Sequence, residues 1–464
     1  MTTSPPVPHR TQLRRGLKNR NIQMIALGGA LGTGLFYGSS DAISVAGPSV
    51  LLAYLVSGAV IFLVVRALGE MSVHEPVAGA FSHYAYTYWS PRAGFVSGWN
   101  YWFNYIAVSM AELSVVGIYI DYWLPGVPRW ATAGFFLVVM TGVNLLGVRA
   151  FGEFEFWFAV IKVVAVIGMI ILGLVVVVFG ITRNPNLPRP SFAHLVSDGG
   201  FFPLGARGLL LAVPVVVFAF GGVELIGITA GEAKNPRRTI PRAVNRVIWR
   251  ILIFYVGALG VIMAVVPWRQ ITGQMSPFVQ IFGTVGVPGA ADVLNFVVIT
   301  AALSVYNSGL YSNGRMLYSL AEQGNAPRWL SRLSRHDIPV AGVLSSSGVT
   351  AVAVAVILIW PDFAFTYLMS VAVIAGIINW SMIMITQWKF RNSLTADEAA
   401  GLRFRLPGGR CSTVFVLLFF AFVIVLMAQS PGYRPAVIAG PLWVGALALA
   451  YQLKRRHQER RAIP

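Results

Sequence analysis

Residues 28–36 read GGALGTGLF and lie within an apolar run that begins near Ile22. Four of the nine residues are glycine, and a glycine destabilises a helix interior by roughly 1 kcal/mol relative to alanine. Such a stretch indicates either close packing against another helix or an interruption of the helix. The spacing of Gly28 and Gly32 fits the packing alternative, because a GxxxG pattern lets two helices approach each other closely.

The composition decides the class of protein. Of the 464 residues, 56% are hydrophobic and 11% are charged, whereas soluble proteins carry about 25% charged residues. Many apolar runs approach roughly 20 residues, the length with which a helix crosses a bilayer. We therefore expect an all-α polytopic membrane protein, because a membrane β-barrel would show short alternating segments instead.

The apolar segments predict twelve transmembrane helices in one membrane domain, residues 21–455. The segments are centred near residues 33, 58, 107, 139, 168, 219, 256, 303, 350, 374, 420 and 443. Residues 1–20 and 456–464 are then terminal tails. The basic first tail lacks a short apolar core followed by a cleavage site, which predicts a retained tail and not a signal peptide.

The net charge of +18 follows the membrane topology. With the N-terminus in the cytoplasm, Lys and Arg are about four times as frequent in the cytoplasmic segments as outside. Both termini are then cytoplasmic, and the basic residues lie beside anionic lipid, so nucleic-acid binding is not expected. Cys411 is the only cysteine, which excludes a disulfide within the chain.

A second apolar segment also contains glycines that are expected to interrupt its helix. Residues 213–227 read VPVVVFAFGGVELIG, so that Gly221 and Gly222 interrupt the sixth segment as Gly32 and Gly34 interrupt the first. The two stand five segments apart, and in a transporter built from two five-helix repeats of opposite topology they are the corresponding first helices. Such a pair of interrupted helices is the best sequence pointer to the binding site of a transporter, and it favours binding over packing.

The chemistry of an interrupted helix supports this interpretation. An interruption frees backbone N–H and C=O groups inside the membrane, where each costs several kcal/mol if unpaired. A half-helix N-terminus suits a carboxylate, and free carbonyls suit an ammonium group. Together they predict a site for the head group of an α-amino acid.

These residues also carry a family resemblance. The stretches ALGGALGTGLFYGS, GPSVLLAYLVSG, RALGEMSVHEP, FGEFEFWFAVIKV, FAFGGVELIGITAGEAKNPRRTIPRA and ALSVYNSGLYSNGRMLYSLAEQGNAP resemble the bacterial amino acid transporter family of the amino acid–polyamine–organocation superfamily. Among its members, the chain is most similar to the aromatic and the proline/histidine-type permeases, over residues 12–460. The resemblance implies proton-coupled import across the bacterial inner membrane and the leucine-transporter fold. The two repeats are then residues 21–181 and 205–385, and residues 412–455 form helices eleven and twelve.

The resemblance also implies roles at the two interruptions. The substrate carboxylate would meet the backbone amides of Gly34 and its neighbours, Gly32 included, and the Thr33 hydroxyl. The substrate ammonium would meet carbonyls of Ala30 and of the second interruption, where Phe218, Gly221 and Gly222 lie. Phe218 also occupies the position of an aromatic gate, with ordinary core packing as the alternative.

Three ionisable residues lie at membrane depth, where they are functional candidates by default. They are Glu112, Lys162 and Glu224. Burial favours the neutral form of a lysine, and by resemblance the Lys162 ammonium replaces the sodium ion of related transporters. Glu112 and Glu224 are proton-coupling candidates, with structural hydrogen bonding as the alternative for each. For Lys162 the alternative is a side chain that reaches to the interface.

The pocket is predicted to be roomy and largely apolar, which favours a neutral, aromatic L-amino acid. Proline, histidine and broad neutral specificity remain alternatives, as does amino acid exchange. The residues expected to shape the pocket are Tyr105, Phe220 and Tyr306 as walls, Asn104, Ser109 and Asn307 as hydrogen-bonding groups, and Gly309 as a source of space.

Other classes of protein fit the sequence less well. A channel would need a continuous polar pore or charged rings, and an enzyme would need a motif such as HExxH or a nucleophile elbow; the chain has neither. The sequence predicts no metal, no cofactor and no obligate protein partner, only an amino acid, a proton and the lipid bilayer.

Overall fold

The computed structural model describes residues 31–77, 80–181, 188–229, 235–271, 276–285, 289–334 and 337–462, and these residues form helices without any strand. In its first half the α-helices are α1 Thr33–Phe36, α2 Gly38–Ala46, α3 Val50–His74, α4 Ala80–Tyr84, α5 Pro91–Asp121, α6 Arg129–Leu145, α7 Val148–Phe179, α8 His194–Ser197, α9 Gly205–Phe218 and α10 Leu225–Thr229. In its second half they are α11 Pro236–Arg250, α12 Ala258–Val265, α13 Pro277–Val285, α14 Ala290–Glu322, α15 Val340–Thr350, α16 Val352–Ile359, α17 Ala364–Ser393, α18 Ala396–Gly401, α19 Arg410–Gln429 and α20 Arg434–Ala462. Two π-helices, Ala85–Trp89 and Ile251–Gly257, continue α4 and join α11 to α12.

Within the described ranges, nine helical stretches are long and apolar enough to cross a membrane. They are Gly38–His74, Pro91–Asp121, Phe151–Phe179, Pro236–Val265, Ala290–Glu322, Val340–Ile359, Ala364–Ser393, Arg410–Gln429 and Arg434–Arg460. The prediction of an all-α polytopic membrane protein is thereby confirmed. These nine coincide with nine of the twelve predicted segments.

The other three predicted segments differ for identifiable reasons. Helix α6 has 17 residues, or about 25 Å, which lies at the lower limit for a membrane-spanning helix. The segment near residue 219 is divided between α9 and the five-residue α10. The segment near residue 33 begins before the first described residue, and the N-terminal tail lies entirely outside the described residues. The layout of twelve helices in two repeats stays a prediction.

The backbone changes course at both glycine-rich stretches. Helix α1 is only four residues long, and Gly32 precedes it in an extended conformation. Helix α9 ends at Phe218, and a series of turns leads to α10. In these turns Gly222 has φ +91°, a conformation that side chains with a Cβ rarely adopt.

Helix α5 lies at the centre of the bundle. It packs against α14 on one side and α17 on another, and α14 in turn packs against α7. Three of these helices hold the buried residues that the sequence singles out: α5 carries residues 104–112, α7 carries residue 162, and α14 carries residues 306–309.

A buried ion pair fastens the end of α3 to α17 and to the loop that follows it. The Glu70 carboxylate is fully buried and accepts hydrogen bonds from Arg391 Nε at 2.6 Å and Nη2 at 2.9 Å. It also accepts from the backbone amide of Leu406 at 2.6 Å and from Gln387 Nε2 at 3.2 Å. Arg66, one turn earlier, lies over the ring of Phe404 at 3.5 Å. The Glu70 carboxylate thus holds the loop that contains Leu406 against the helix bundle.

Replacing Glu70 should therefore loosen this end of the bundle. In Glu70→Ala, the Leu406 amide and the Arg391 guanidinium lose a charged acceptor, which costs about 1–3 kcal/mol. We expect a lower unfolding temperature of the detergent-purified protein. The control is Glu459→Ala, because Glu459 pairs with Arg455 at 2.7 Å with side chains 57% and 70% exposed, and such surface pairs contribute little. Equal unfolding temperatures for the two variants would contradict the assignment.

Candidate functional site

The ends of α1 and α9 meet where Gly34 faces Ala219. A Cβ at residue 34 would lie 2.5 Å from Ala219 Cα and 2.9 Å from its amide nitrogen, distances that backbone atoms do not tolerate. At Gly32, a Cβ would lie 2.8 Å from Val305 Cγ2 and 2.9 Å from Glu112 Oε1. Both glycines are therefore required by close approach, and the two interrupted stretches touch each other directly.

An aromatic group holds the end of α9 from the other side. The Tyr255 hydroxyl donates a hydrogen bond to the Ala219 carbonyl at 2.8 Å. Its ring stacks on Tyr54 with centroids 5.4 Å apart and packs against Phe220 at 4.8 Å. Phe220 is thus fully buried between α3 and the π-helix, so the expectation that it walls the pocket is not met.

Glu112 of α5 reaches the start of α1. Its Oε1 accepts a long hydrogen bond of 3.4 Å from the Thr33 backbone amide. The carboxyl group is buried and also lies within electrostatic range of Lys162. A carboxylate of the protein therefore already accepts a hydrogen bond from one of the amides that the sequence assigns to a substrate carboxylate.

A small cavity lies beside Glu224. Tyr105 donates to Glu224 Oε1 at 3.1 Å, and Trp380 Nε1 donates to Oε2 at 3.3 Å. The cavity has a volume of about 20 Å³, enough for roughly one water molecule. It is lined by Asn104, Tyr105, Val108, Val217, Phe218, Gly221, Gly222, Glu224, Ala372, Val373, Gly376 and Trp380. Six residues that the sequence assigns to the site or its walls thus converge on one largely apolar space.

Aromatic rings cover one side of this cavity. The Phe218 ring packs edge-on against Phe365 of α17 with centroids 6.1 Å apart. Phe365 in turn packs edge-on against Tyr37 at 4.9 Å. The three rings connect the end of α9 to α17 and to the residue between α1 and α2, an arrangement that suits a cover over the cavity.

Lys162 lies in a second polar group, between α7 and α14. Its ammonium donates a hydrogen bond of 2.9 Å to Ser304 Oγ, and the Ser304 hydroxyl donates one of 2.7 Å to Glu155 Oε1. All three side chains are completely buried. The ammonium therefore does not reach to the interface, which removes the alternative considered for this lysine.

Several predicted site residues lie apart from the cavity beside Glu224. Asn307 accepts a hydrogen bond of 2.8 Å from Asn144 of α6, and the Tyr306 hydroxyl lies beside Thr141 and Ser347. The expected space at Gly309 is filled, because a Cβ there would lie 3.0 Å from Tyr105 Cδ1 and 3.1 Å from Ser109 Oγ. These residues lie in the contacts between α14 and its neighbours α5 and α6. Ala30 lies outside the described residues.

Sequence reasoning missed three residues that the structure brings to these groups. Glu155 precedes Lys162 by seven residues, or two helical turns, so both lie on one face of α7; that spacing was a usable signal. Trp380 and Phe365 have no comparable signal, because their roles depend on how α17 packs against α5 and α9.

The apolar helices, with polar residues buried between them, define a multi-pass membrane protein. Residues 21–461 match the model of the family described as "Amino acid permease". The chain is 48% identical over 450 residues, 97% of each chain, to the aromatic amino acid transport protein AroP of Escherichia coli and to that of Salmonella typhimurium. It is also 48% identical over 451 residues, again 97% of each chain, to the uncharacterized amino acid permease YtnA of Bacillus subtilis. The chain belongs to the amino acid permease family, and such a protein is a transporter.

The contact between Gly34 and Ala219 is open to a direct test. In Gly34→Ala the new methyl group forces the ends of α1 and α9 apart, and a displacement near 1 Å can reduce activity roughly 10²-fold. We expect a loss of that order in the initial rate of amino acid uptake by cells producing the variant.

The matched control is Gly168→Ala. A Cβ at Gly168 of α7 would meet nothing within 4 Å, and alanine favours a helix over glycine, so uptake should equal that of the wild type. Wild-type uptake by Gly34→Ala at equal membrane abundance would show that the two helix ends do not form the site.

Proposed function

We propose that the chain is a proton-coupled permease that imports a neutral, aromatic L-amino acid across the bacterial inner membrane by alternating access. The observation that carries the substrate class is the 48% identity, over 97% of both chains, to a protein named for aromatic amino acid transport. The apolar and aromatic lining of the cavity beside Glu224 supports the same class, because it provides few groups to pair with a charged side chain.

The substrate head group would bind between the two interrupted stretches. The amides that begin α1, at Thr33 and Gly34, would receive the carboxylate, as helix N-termini favour anions. The ammonium would meet the carbonyls of Phe218 and Gly221. Phe218 O already accepts a hydrogen bond from the Gly221 amide at 2.9 Å, but a carbonyl oxygen has two lone pairs. Gly32 and Gly222 would let the backbone adopt the required course.

Glu112 gives this scheme a way to sense the substrate. Its carboxylate contacts the Thr33 amide at 3.4 Å, so a substrate carboxylate arriving there would displace it. The displaced group could then turn toward Lys162, whose charge acts on it across the same buried region. Substrate binding and the protonation of these two residues would thereby become linked, as proton-coupled transport requires.

The aromatic side chain would enter the cavity beside Glu224. A volume of about 20 Å³ is far below what an aromatic ring needs, so the cover formed by Phe218 must move for the ring to enter. Trp380 and Tyr105 would face the ring, while Asn104 supplies a polar group for a phenol or indole. Ser109, whose Oγ lies against Gly309 of α14, would support the cavity from outside its lining. Glu224, held by Tyr105 and Trp380, would couple its protonation to the shape of the cavity.

The large-scale motion would follow the twelve-helix arrangement of the family. The first and sixth transmembrane segments, which are interrupted at residues 32–34 and 221–222, would be the first helices of two inverted five-helix repeats. These repeats would span residues 21–181 and 205–385. The excess of Lys and Arg in alternate loops supports cytoplasmic termini. Tyr306, Asn307 and Gly309 would then act from α14, by supporting α5 and α6 around the site.

Competition for uptake tests the substrate class. Cells producing the chain should accumulate labelled phenylalanine, and unlabelled tyrosine and tryptophan should compete strongly. Apolar contacts discriminate by only about 1–3 kcal/mol per methylene, so the specificities should overlap. Glutamate should not compete, because the residues that line the cavity include no cationic side chain. Lysine should compete weakly, because both oxygens of the Glu224 carboxylate already accept hydrogen bonds from Tyr105 and Trp380.

A size-selective variant connects this result to the cavity. Gly376 lies on the cavity wall, and a Cβ there would meet its nearest neighbours at 3.8–4.0 Å, so Gly376→Val should weaken tryptophan competition more than phenylalanine uptake. Competition by proline or histidine but not by tyrosine or tryptophan would reject the aromatic assignment.

Lys162 tests the coupling. In Lys162→Ala, no ammonium remains to change its charge between α7 and α14. Proteoliposomes with the variant should lose accumulation driven by an imposed pH gradient, roughly 10² -fold in initial rate, while exchange of external for internal phenylalanine persists. Normal accumulation driven by the gradient would disprove the role of this lysine, and replacing sodium by choline in the wild type checks that sodium is not the coupling ion.

A further inference from the structure

We propose that Glu155 is the residue that accepts the proton released by Lys162, with the Ser304 hydroxyl as the relay between them. This inference deepens the proposed function, because it rests on proton coupling through Lys162. It assigns a proton-carrying role to a carboxyl group that lies outside the cavity beside Glu224 and outside both interrupted stretches.

The hydrogen bonds run in one direction. Lys162 Nζ donates to Ser304 Oγ at 2.9 Å, and Ser304 Oγ donates to Glu155 Oε1 at 2.7 Å. The serine hydroxyl therefore uses its only hydrogen toward the carboxylate and a lone pair toward the ammonium. Donor, relay and acceptor are therefore joined by two direct hydrogen bonds.

The transfer balances without another reactant. As the ammonium passes a proton to Ser304 Oγ, the original hydroxyl proton passes to Glu155 Oε1. The products are a neutral amine, an intact serine hydroxyl and a neutral carboxylic acid. One positive and one negative charge disappear together, so the step leaves no unpaired charge in a region where each would be costly.

The surroundings leave Glu155 as the acceptor within reach. In the part of the chain that the structure describes, the acidic groups whose charges act on Lys162 are Glu155 and, more weakly, Glu112. Glu112 faces the Thr33 amide and so lies on the substrate side of the lysine. Asn307 and Ser308 of α14 lie beside the Glu155 carboxyl and cannot take up a proton at ordinary pH. The lysine thus has one carboxylate on the substrate side and another on the opposite side.

The position of Glu155 gives the relay a direction. It lies seven residues nearer the start of α7 than Lys162, which is about 10 Å along the helix axis. Under the proposed topology this end of α7 faces the cytoplasm. One turn further, Phe151 stacks on Tyr311 with centroids 3.7 Å apart, and Arg315 lies over Tyr311 at 3.4 Å. This stacked group closes the route beyond Glu155, so the proton would leave only when α7 and α14 move apart there.

A structural role for Glu155, as a fixed counter-charge to Lys162, makes a different prediction. A fixed counter-charge is needed in every step of the cycle, so its removal should impair substrate exchange as well as proton-driven uptake. A proton acceptor is needed only when protons are transported. The two roles therefore separate in the ratio of protons to substrate.

The experiment compares full-length Glu155→Gln, Glu155→Asp and Glu153→Gln in proteoliposomes. Labelled phenylalanine is followed both as exchange without a gradient and as accumulation with a pH gradient, and a pH-sensitive dye inside the vesicles reports proton entry. Glu153→Gln is the matched control, because it removes a carboxylate two residues away on the exposed face of α7.

We expect Glu155→Gln to retain exchange and to lose substrate-linked proton entry, with gradient-driven uptake reduced roughly 10²-fold. Glu155→Asp should restore part of the coupling, because it keeps the ionisable group, and Glu153→Gln should behave like the wild type. Coupled uptake by Glu155→Gln at the wild-type ratio of protons to substrate would overturn the relay, as would an equal loss of exchange and uptake in a correctly folded variant.

Two further measurements keep the outcomes distinct. If Glu155→Gln does not fold, Ser304→Ala interrupts the relay while keeping both ionisable groups, and unchanged coupling in that variant refutes the proposal. Failure of the wild type to couple protons, or full coupling in Lys162→Ala, contradicts the proposed function itself. Uncoupling in Lys162→Ala together with normal coupling in Glu155→Gln contradicts only the relay.

Discussion

The approach of Gly34 to Ala219 is the contact on which the other groups depend. It brings the first turn of α1 against the end of α9 at a distance that excludes a side chain at residue 34. Because α1 lies there, Glu112 of α5 can reach the Thr33 amide. Because α9 ends there, the Ala219 carbonyl is free to accept the hydrogen bond from Tyr255. A single backbone contact thus determines where the buried carboxylates lie relative to the two helix ends.

Three buried ionisable side chains near this contact, Glu112, Lys162 and Glu224, form hydrogen bonds that connect different helices. Glu112 connects α5 to α1, Lys162 connects α7 to α14, and Glu224 is held by Tyr105 of α5 and Trp380 of α17. Away from water, each group requires such a partner. A change in protonation therefore changes the attraction between two helices, and it acts on their relative position. Under the proposed proton coupling, such changes would convert proton movement into motion of the helices.

The sequence predicted the class, most of the helices and the glycine-rich stretches, because these depend on composition, length and local backbone preference. It also selected Lys162, Glu112 and Glu224, because a charge inside an apolar run is visible without a structure. It did not predict Trp380, since that role depends on which face of α17 meets α5. The sequence predicts Tyr306 as a pocket wall, whereas its hydroxyl lies beside Thr141 and Ser347. The reason is the same, because a sequence gives the position of a residue along α14 but not the direction of its side chain. How twelve helices are arranged stays a prediction.

Glu155 is a residue whose pairing with Lys162 is visible in the sequence. It lies in the stretch FGEFEFWFAVIKV, in which only the lysine is assigned a role from the sequence. Glu153 and Glu155 are indistinguishable as charges in a sequence, but two residues correspond to about 200° around a helix. Glu153 is exposed, and Glu155 is buried beside Ser304. A search for ionisable pairs seven residues apart within an apolar helix would have joined Glu155 to Lys162. Such a pair lies on one face, where desolvation disfavours either charge alone and a shared proton relieves both.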